Sequence, residues 1–438
     1  MFVRPLQCLG SEGGEDSFKG GGLRLSWIRS CLLCPRMTYK IKTLLFSTLY
    51  PSSSMPIHGI FVETRLRELL KSDRVETQVV APVPWFPFKN PRFGEYARMA
   101  ATPSREQRNG VIVHHPRYPL PPKVGQNLAP FLLAAGALPT VRRLIQSGFD
   151  FDLIDAHFWY PDGVAASIIA RAVEKPFVCT ARGSDITLYR RFSWPKRLLQ
   201  KSLQQSSANI GVCTDLVEQM IELGADRAKS LTIRNGVDLE RFNPQDPKDA
   251  RRSLDLRAED QVLLSVGHLI ERKGHHLAIE LLKHQHNARL LVVGSGPLRG
   301  ELEILAHRLG VAERVRFEGQ QPNNRLRSYY SAADVLILAS SFEGWANVLL
   351  EAMACGTPVV ATRVNGTPEV VTQPVAGRMA DVRDVPSLLG ALRDLLAHYP
   401  DRNAVRRYAE AFSWEETTRL QCELFQQIKG LVDRSGVQ

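Results

Sequence analysis

The sequence predicts an α/β protein of two doubly wound parallel sheets facing each other across a central cleft. Three observations lead there. Apolar runs of strand length alternate with segments of helical spacing from Ile41 to Ala361, as in a parallel sheet covered by helices. The alternation breaks once, where the turn Asn235-Gly236-Val237-Asp238 leads into a polar, proline-containing stretch from Asn243 to Ala250 that reads as a linker. The chain has 438 residues, more than one hydrophobic core usually holds.

In the first half, strands are expected at Ile41 to Leu49, Gln78 to Pro82, Val111 to His114, Leu153 to His157, Phe177 to Thr180, Ala208 to Val212 and Ser230 to Ile233. Helices are expected at Gly59 to Lys71, where Ile60, Val62, Leu66, Leu69 and Leu70 follow a helical period, and at Pro161 to Arg171. The second half repeats the pattern with strands at Val262 to Val266, Arg289 to Val293, Val315 to Glu318, Val335 to Leu338 and Pro358 to Ala361. From Asp381 to Gly430 the chain reads as mostly helical. The expected division is therefore an extension at 1–36, a first domain at 37–236, a second at 237–410 and a terminal helical segment at 411–438.

Residues 1–36 are Gly-rich and carry no sustained period, so they are expected to lie outside the fold, with Met37 as the functional start. The seven cysteines are scattered and odd in number, which reads as reduced thiols in a cytoplasmic protein. The Cys31/Cys34 spacing alone is a weak metal signal. No apolar run approaches the ~20 residues that span a bilayer. The net charge of +11 is uneven: residues 37–235 carry +10 and residues 236–438 carry −1. A basic first half suits an anionic partner, and no nucleic-acid motif accompanies it. From Ser184 to Gln205, Arg190, Arg191, Lys196, Arg197 and Lys201 interleave with Tyr189, Phe192, Trp194 and leucines, a composition that suits peripheral contact with an anionic membrane.

The chemistry concentrates in SFEGWANVLLEAMACGTPVVAT, Ser341 to Thr362. Glu343 and Gly344 fall in a loop after a strand, where Gly344 lets the backbone approach a ligand closely, and a helix is expected at Asn347 to Ala354. The N–H groups of Gly344, Trp345, Ala346, Asn347 and Val348 then form a helix N-terminus, an anion site suited to a diphosphate. Glu351, two turns into the helix, could accept from two ribose hydroxyls.

This string resembles the Glu-x7-Glu region of retaining glycosyltransferases of the GT-B fold, family 4 (group 1), bacterial polysaccharide type. Trp345-Ala346 stands where Phe-Gly or Phe-Pro is commoner. VGHLIERKG (Val266 to Gly274), VVGSGP (Val292 to Pro297), FEGQ (Phe317 to Gln320), RNGVDLERFNP (Arg234 to Pro244) and FSWEETTRL (Phe412 to Leu420) resemble further family signatures. His268 stands where arginine is frequent. The resemblance implies two Rossmann-like domains, a nucleotide-sugar donor as co-substrate without a separate cofactor, a glycan or lipid-linked acceptor, and a terminal helix crossing back to the first domain. It implies donor contacts at Gly59, Gly267, Arg272, Lys273 and Gly319, with Arg272 and Lys273 on the diphosphate. Glu343 and His157, the latter at a strand's C-terminal end, would face the reacting sugar, and Arg182 in TARGSDI would meet the acceptor.

No metal is expected to be required. Asp150-Phe151-Asp152 precedes its strand, at the end of the sheet away from ligands. A dinucleotide-dependent oxidoreductase is a rival reading, carried only by Gly294, Gly296 and Gly300 with the third glycine displaced. A sugar-nucleotide epimerase of the same architecture is another.

Overall fold

The computed structural model describes residues 40–121 and 125–435. The extension at 1–36, the start at Met37 and the Cys31/Cys34 pair lie outside the described residues.

The first half is built on an eight-stranded sheet. Its spatial order is Ser230–Thr232, Ala208–Gly211, Phe177–Ala181, Leu153–His157, Ile41–Phe46, Val75–Val80, Val111–His114 and Arg105–Arg108. Every pairing is parallel except the edge pair Arg105–Arg108 with Val111–His114. The second half carries a six-stranded parallel sheet in the order Val315–Gly319, Ala288–Val293, Gln261–Val266, Val335–Leu338, Val359–Thr362 and Gly377–Ala380. Leu153–His157 and Phe177–Ala181 are buried at every position. Helices on both faces of a parallel sheet demand near-continuous apolar strands of that kind.

Strand order reverses between Ile41–Phe46 and Leu153–His157 in one sheet, and between Gln261–Val266 and Val335–Leu338 in the other. Ligands of such sheets bind outside the carboxyl ends of the strands at these reversals. The last helix, Trp414–Ser435, follows the second half but buries Cys422, Phe425 and Ile428 with Leu45, Val62 and Leu66 of the first.

Several sequence expectations are corrected. The edge strands Arg105–Arg108 and Gly377–Ala380 were not anticipated, being polar or glycine-led. The stretch read as a linker is only partly loop, because Asp246 accepts from Lys248 and Asp249 amides and starts the helix Pro247–Ser253. The first helix after His157 begins at Val164, behind a wide turn over Trp159–Gly163. Asn127–Gln146, part of the helix Gly125–Gln146, is by length and composition apolar enough to span a bilayer. Leu133, Ala137 and Val141 on that helix are fully buried in the first half's core, so it packs as a core helix. Cys179, Cys213, Cys355 and Cys422 are buried free thiols.

Candidate functional site

The second half's rim is a strap between two loops at its strand-order reversal. Lys273 Nζ lies 2.5 Å from Glu343 Oε1, and Ser340 Oγ donates to the same oxygen at 2.6 Å. The Ser341 amide donates to Arg272 O at 2.8 Å, and Arg272 donates to Phe342 O at 3.3 Å. The two loops thus hold each other before any ligand arrives. Glu343 is 5% exposed, and the ammonium of Lys273 balances its charge. Gly267, Gly294 and Gly319 lie side by side at three adjacent strand ends: the Gly294 amide donates to Gly319 O at 2.8 Å, and a Cβ on Gly294 would lie 1.8 Å from Gly267 O. Gly294 therefore serves strand-end packing, and Gly296 is pressed against Leu269 in the same way, which accounts for these two glycines of the dinucleotide-like string without a dinucleotide.

Beside the strap, the amides of Gly344, Trp345, Ala346 and Val348 have no acceptor among the described residues. They open the helix Asn347–Ala354, whose N-cap Ala346 offers no side-chain cap. Such amides favour an anion. Trp345 is buried beside Phe412, with ring centroids 6.3 Å apart, and lies under Arg234 at 5.9 Å. On the same helix Glu351 accepts from Tyr330 Oη at 2.7 Å. Burial pushes its carboxyl up from the usual range. Glu351 and Asn347 line an interdomain cavity of about 100 Å³ with Phe61, Thr64, Asp238 and Arg241.

The first half's rim is a buried polar chain. Arg65 donates to Gln421 Oε1 at 3.0 Å, and Gln421 donates to Asp155 Oδ2 at 3.0 Å. Asp155 Oδ2 lies 3.5 Å from His157 Nε2. Arg182 donates to His157 Nδ1 at 2.8 Å and to Asn235 Oδ1 at 3.0 Å. Asn235 then donates to Asn347 Oδ1 at 3.3 Å, reaching the second half. A guanidinium can only donate, so His157 Nδ1 accepts and the ring proton sits on Nε2, towards Asp155. Desolvation pulls His157 down to about 4, with Asp155 opposing, so the ring is neutral at ordinary pH. Desolvation and then Arg65 pull Arg182 down to about 9, still charged. Asp185 steadies the next turn by accepting from the amides of Trp159, Arg182 and Gly183.

Two profiles match almost the whole of this architecture. The one described as Glycosyl transferases group 1 matches residues 246–412, and the one described as Glycosyltransferase Family 4 matches residues 62–241. TuaC of Bacillus subtilis, a glycosyltransferase assigned to teichuronic acid biosynthesis, is 30% identical over 331 residues, covering 74% of this chain and 82% of TuaC. The chain belongs to the family 4, group 1 glycosyltransferases. Its fold is GT-B, like that of solved relatives. Sucrose-phosphate synthase from Thermosynechococcus elongatus superposes with a TM-score of 0.72 at 20% identity, covering 90% of this chain and all of that one. The Anabaena protein HepE, solved with UDP-glucose, gives 0.63 at 20% identity over 90% of this chain and all of its own.

Within this glycosyltransferase the structure brings Arg272, Lys273, Glu343 and the 344–348 amides together, and sets Glu351 on the neighbouring cavity wall. Other candidates are placed differently from expectation. Gly344 was read as room for a ligand, but the segment against it is protein: a Cβ there would lie 2.1 Å from Arg182 O. His157 was expected to face the sugar, yet it is 1% exposed, with Arg182 and Asp155 against its two nitrogens. Arg182, expected to meet the acceptor, is held by His157 and Asn235 and lies over the Phe61 ring at 5.3 Å. Gly59 caps the helix Ile60–Lys71 in a left-handed conformation pressed against Leu49. Asp150 and Asp152 pair with Lys175 and Lys429, away from the cleft. Arg65, Asp155, Asn235, Tyr330 and Gln421 were missed. Only Asn235 had a signal, inside the RNGVD string.

Proposed function

We propose that the protein transfers a hexose-type sugar from a nucleotide-sugar donor to an acceptor hydroxyl with retention, in the synthesis of exopolysaccharide, lipopolysaccharide or another cell-surface glycan. The observation that carries this reading is the Lys273–Glu343–Ser340 strap beside the unpartnered amides of Gly344, Trp345, Ala346 and Val348. The donor diphosphate would rest on those amides, with Arg272 and Lys273 alongside, and Glu351 would take the ribose hydroxyls. HepE, of the same fold, was solved with a nucleotide sugar. In the reaction the acceptor oxygen bonds to the anomeric carbon while the bond to the diphosphate breaks, and the hydroxyl proton is released. Lys273, Arg272 and the amides would stabilise the charge growing on the leaving diphosphate, help aimed at the transition state. Cationic groups and a helix terminus supply that charge balance, so turnover should survive chelation of divalent metal.

A thermal-shift screen of UDP, GDP and ADP sugars tests the donor site, since a ligand bound by the native state raises its melting temperature. No shift with any of them would overturn the reading. Conversion of the nucleotide sugar without an acceptor would favour the epimerase instead.

The reading extends to the inner face of the cytoplasmic membrane. Trp85 and Phe88 are exposed on a segment that also carries Lys89 and Arg92, Tyr96 is exposed on the helix Glu95–Ala101 that follows, and Phe192 and Trp194 are exposed at the start of the helix Ser193–Gln205. Trp194 Nε1 donates to Asn127 O at 3.3 Å, linking that helix to the exposed Leu128 and Phe131. Aromatics interleaved with cations suit an anionic interface. Flotation should recover the protein with anionic liposomes and lose it when Trp85 and Phe88 become Ala. Equal recovery with neutral liposomes would remove this part of the reading.

A further inference from the structure

Outside the strap, a recess of about 570 Å³ opens between the halves. Arg190, Arg191 and Lys196 line it from one side, and Ser341 and Phe342 from the other. Arg190 is occupied, donating to Glu222 at 2.9 Å and to Gln219. Arg191 and Lys196 are exposed and have no acidic partner among the described residues. No carboxylate lines the recess. Some cations of this surface are paired locally, as Arg227 is with Glu218 and Arg419 with Glu416 and Glu423, while Arg197 and Lys201 on the same helix as Lys196 are unpaired among the described residues but do not line the recess. Two unpaired cations and a third close by, in a concavity whose lining holds no carboxylate and where Asp215 is engaged behind it by Gln219 and Asn365, form a site for a compact anion with several acceptor oxygens.

Its position says which anion. Ser341 and Phe342 directly precede Glu343 and are tied to Arg272. The recess therefore lies against the strap and shares no lining residue with the cavity at Glu351 and Asn347, so it suits an acceptor rather than the donor's nucleoside. We propose that this recess is a subsite for a phosphate group carried by the acceptor, bound by Arg191 and Lys196 with Arg190 in support, while the acceptor hydroxyl reaches inward past Phe342. The inference rests on the glycosyl-transfer reading and deepens it to a class of acceptor, a phosphate ester. That phosphate could be carried by a soluble polyol or by a lipid.

Calorimetric titration of the full chain, with the donor pocket filled by a nucleoside diphosphate, tests it. Glycerol 3-phosphate and glycerol form the soluble pair. Phosphatidylcholine vesicles with and without a polyprenyl phosphate form the lipid pair. At least one phosphate probe should bind while its phosphate-free partner does not, and the arm that binds identifies the source. Arg191→Gln and Lys196→Gln should each weaken that binding about tenfold, the loss of one charge-assisted hydrogen bond. Both side chains are exposed, so an unchanged melting temperature and unchanged nucleoside diphosphate affinity will show that the fold and the donor site are intact. Failure of both phosphate probes on the wild type, or equal binding by the Arg191→Gln/Lys196→Gln double variant, overturns the proposal. If no nucleoside diphosphate binds, the transferase reading fails by itself. The phosphate titrations still decide the recess, because they read its own side chains.

Discussion

The two rims of the cleft solve different problems. The second half's rim comes from two contiguous strings, Val266 to Gly274 and Ser340 to Glu351, and leaves backbone amides unpartnered. The first half's rim is assembled from Arg65, Asp155, His157, Arg182, Asn235 and Gln421, side chains from distant parts of the chain that satisfy one another in the interior. One rim is shaped to receive charge and the other to contain it. Substitutions in the first should therefore show up mainly as lost stability, and in the second mainly as lost turnover.

Asp155 gives the largest expected effect. Its carboxylate stands among Arg65, Arg182 and His157, with Gln421 as a donor. Asp155→Ala would strip the buried Arg65 of its counter-charge and leave Arg182 with Asp185 alone, and leaving a buried charge uncompensated in this way costs about 3–5 kcal/mol. Urea denaturation would read it. A loss below about 1 kcal/mol would mean that water already reaches this chain of groups, and the contrast between the rims would fail.

On the other rim, Lys273→Ala and Glu343→Gln should each lower turnover about 10²–10³-fold, the scale found when a preorganised transition-state contact is removed. Glu343→Gln keeps the shape and the bond from Ser340 but removes the counter-charge of the part-exposed Lys273, so its melting temperature should fall, though less than that of Asp155→Ala. Near-normal transfer by both variants would refute the donor-site assignment.

This contrast also explains what was legible in the sequence. The helix Asn347–Ala354 and the strand Val335–Leu338 are found where the apolar pattern puts them, because local period decides them. Lys273 and Glu343 could be assigned to one donor site from the sequence because each sits in a recognisable string, but their direct ion pair was not anticipated. The first rim left no such trace. Arg65 looks like any polar position on an amphipathic helix, and Gln421 like any residue of a terminal helix. Only the return of Trp414–Ser435 to the first half brings both to Asp155. His157 could be placed at a strand end, but its burial depends on Arg182 closing over it, a tertiary fact. Gly344 was correctly flagged as a close approach, with the partner misread: Arg182 of the opposite half fills the space.

The first rim should also carry pH dependence of two opposite signs. Desolvation holds His157 down at about 4. Between its unfolded value near 6.5 and about 4, the unfolded chain gains a proton that the native ring refuses, so stability falls as pH falls through that window. Asp162 runs the other way. Burial raises its carboxyl to about 7 although Thr48 donates to it from both amide and hydroxyl. Between about pH 4 and 7 the native state keeps a proton that the unfolded chain has lost, so stability falls as pH rises. Denaturant melts from pH 4 to 7 separate the two. His157→Gln should make the net slope more negative, and Asp162→Asn should make it more positive, each by at most about 1.4 kcal/mol per pH unit. Unchanged slopes would show that neither group is as dry as its burial implies.

The smallest effect is expected where the halves meet in water. Glu369 of the second half accepts from the Thr214 amide at 2.7 Å, from Thr214 Oγ1 at 3.1 Å and from Arg234 at 2.5 Å. By count of bonds this contact rivals Asp155. The Arg234 side chain is 48% exposed, however, and solvent screens the pair. Glu369→Gln should therefore cost only about 0.5–1 kcal/mol in urea melts at low salt, and the difference should shrink at high salt. A salt-insensitive loss as large as that of Asp155→Ala would mean that partner number, not burial, sets the strength of these interdomain contacts. The closed arrangement of the cleft would then depend on its outer margin rather than on the buried chain from Arg65 to Asn347.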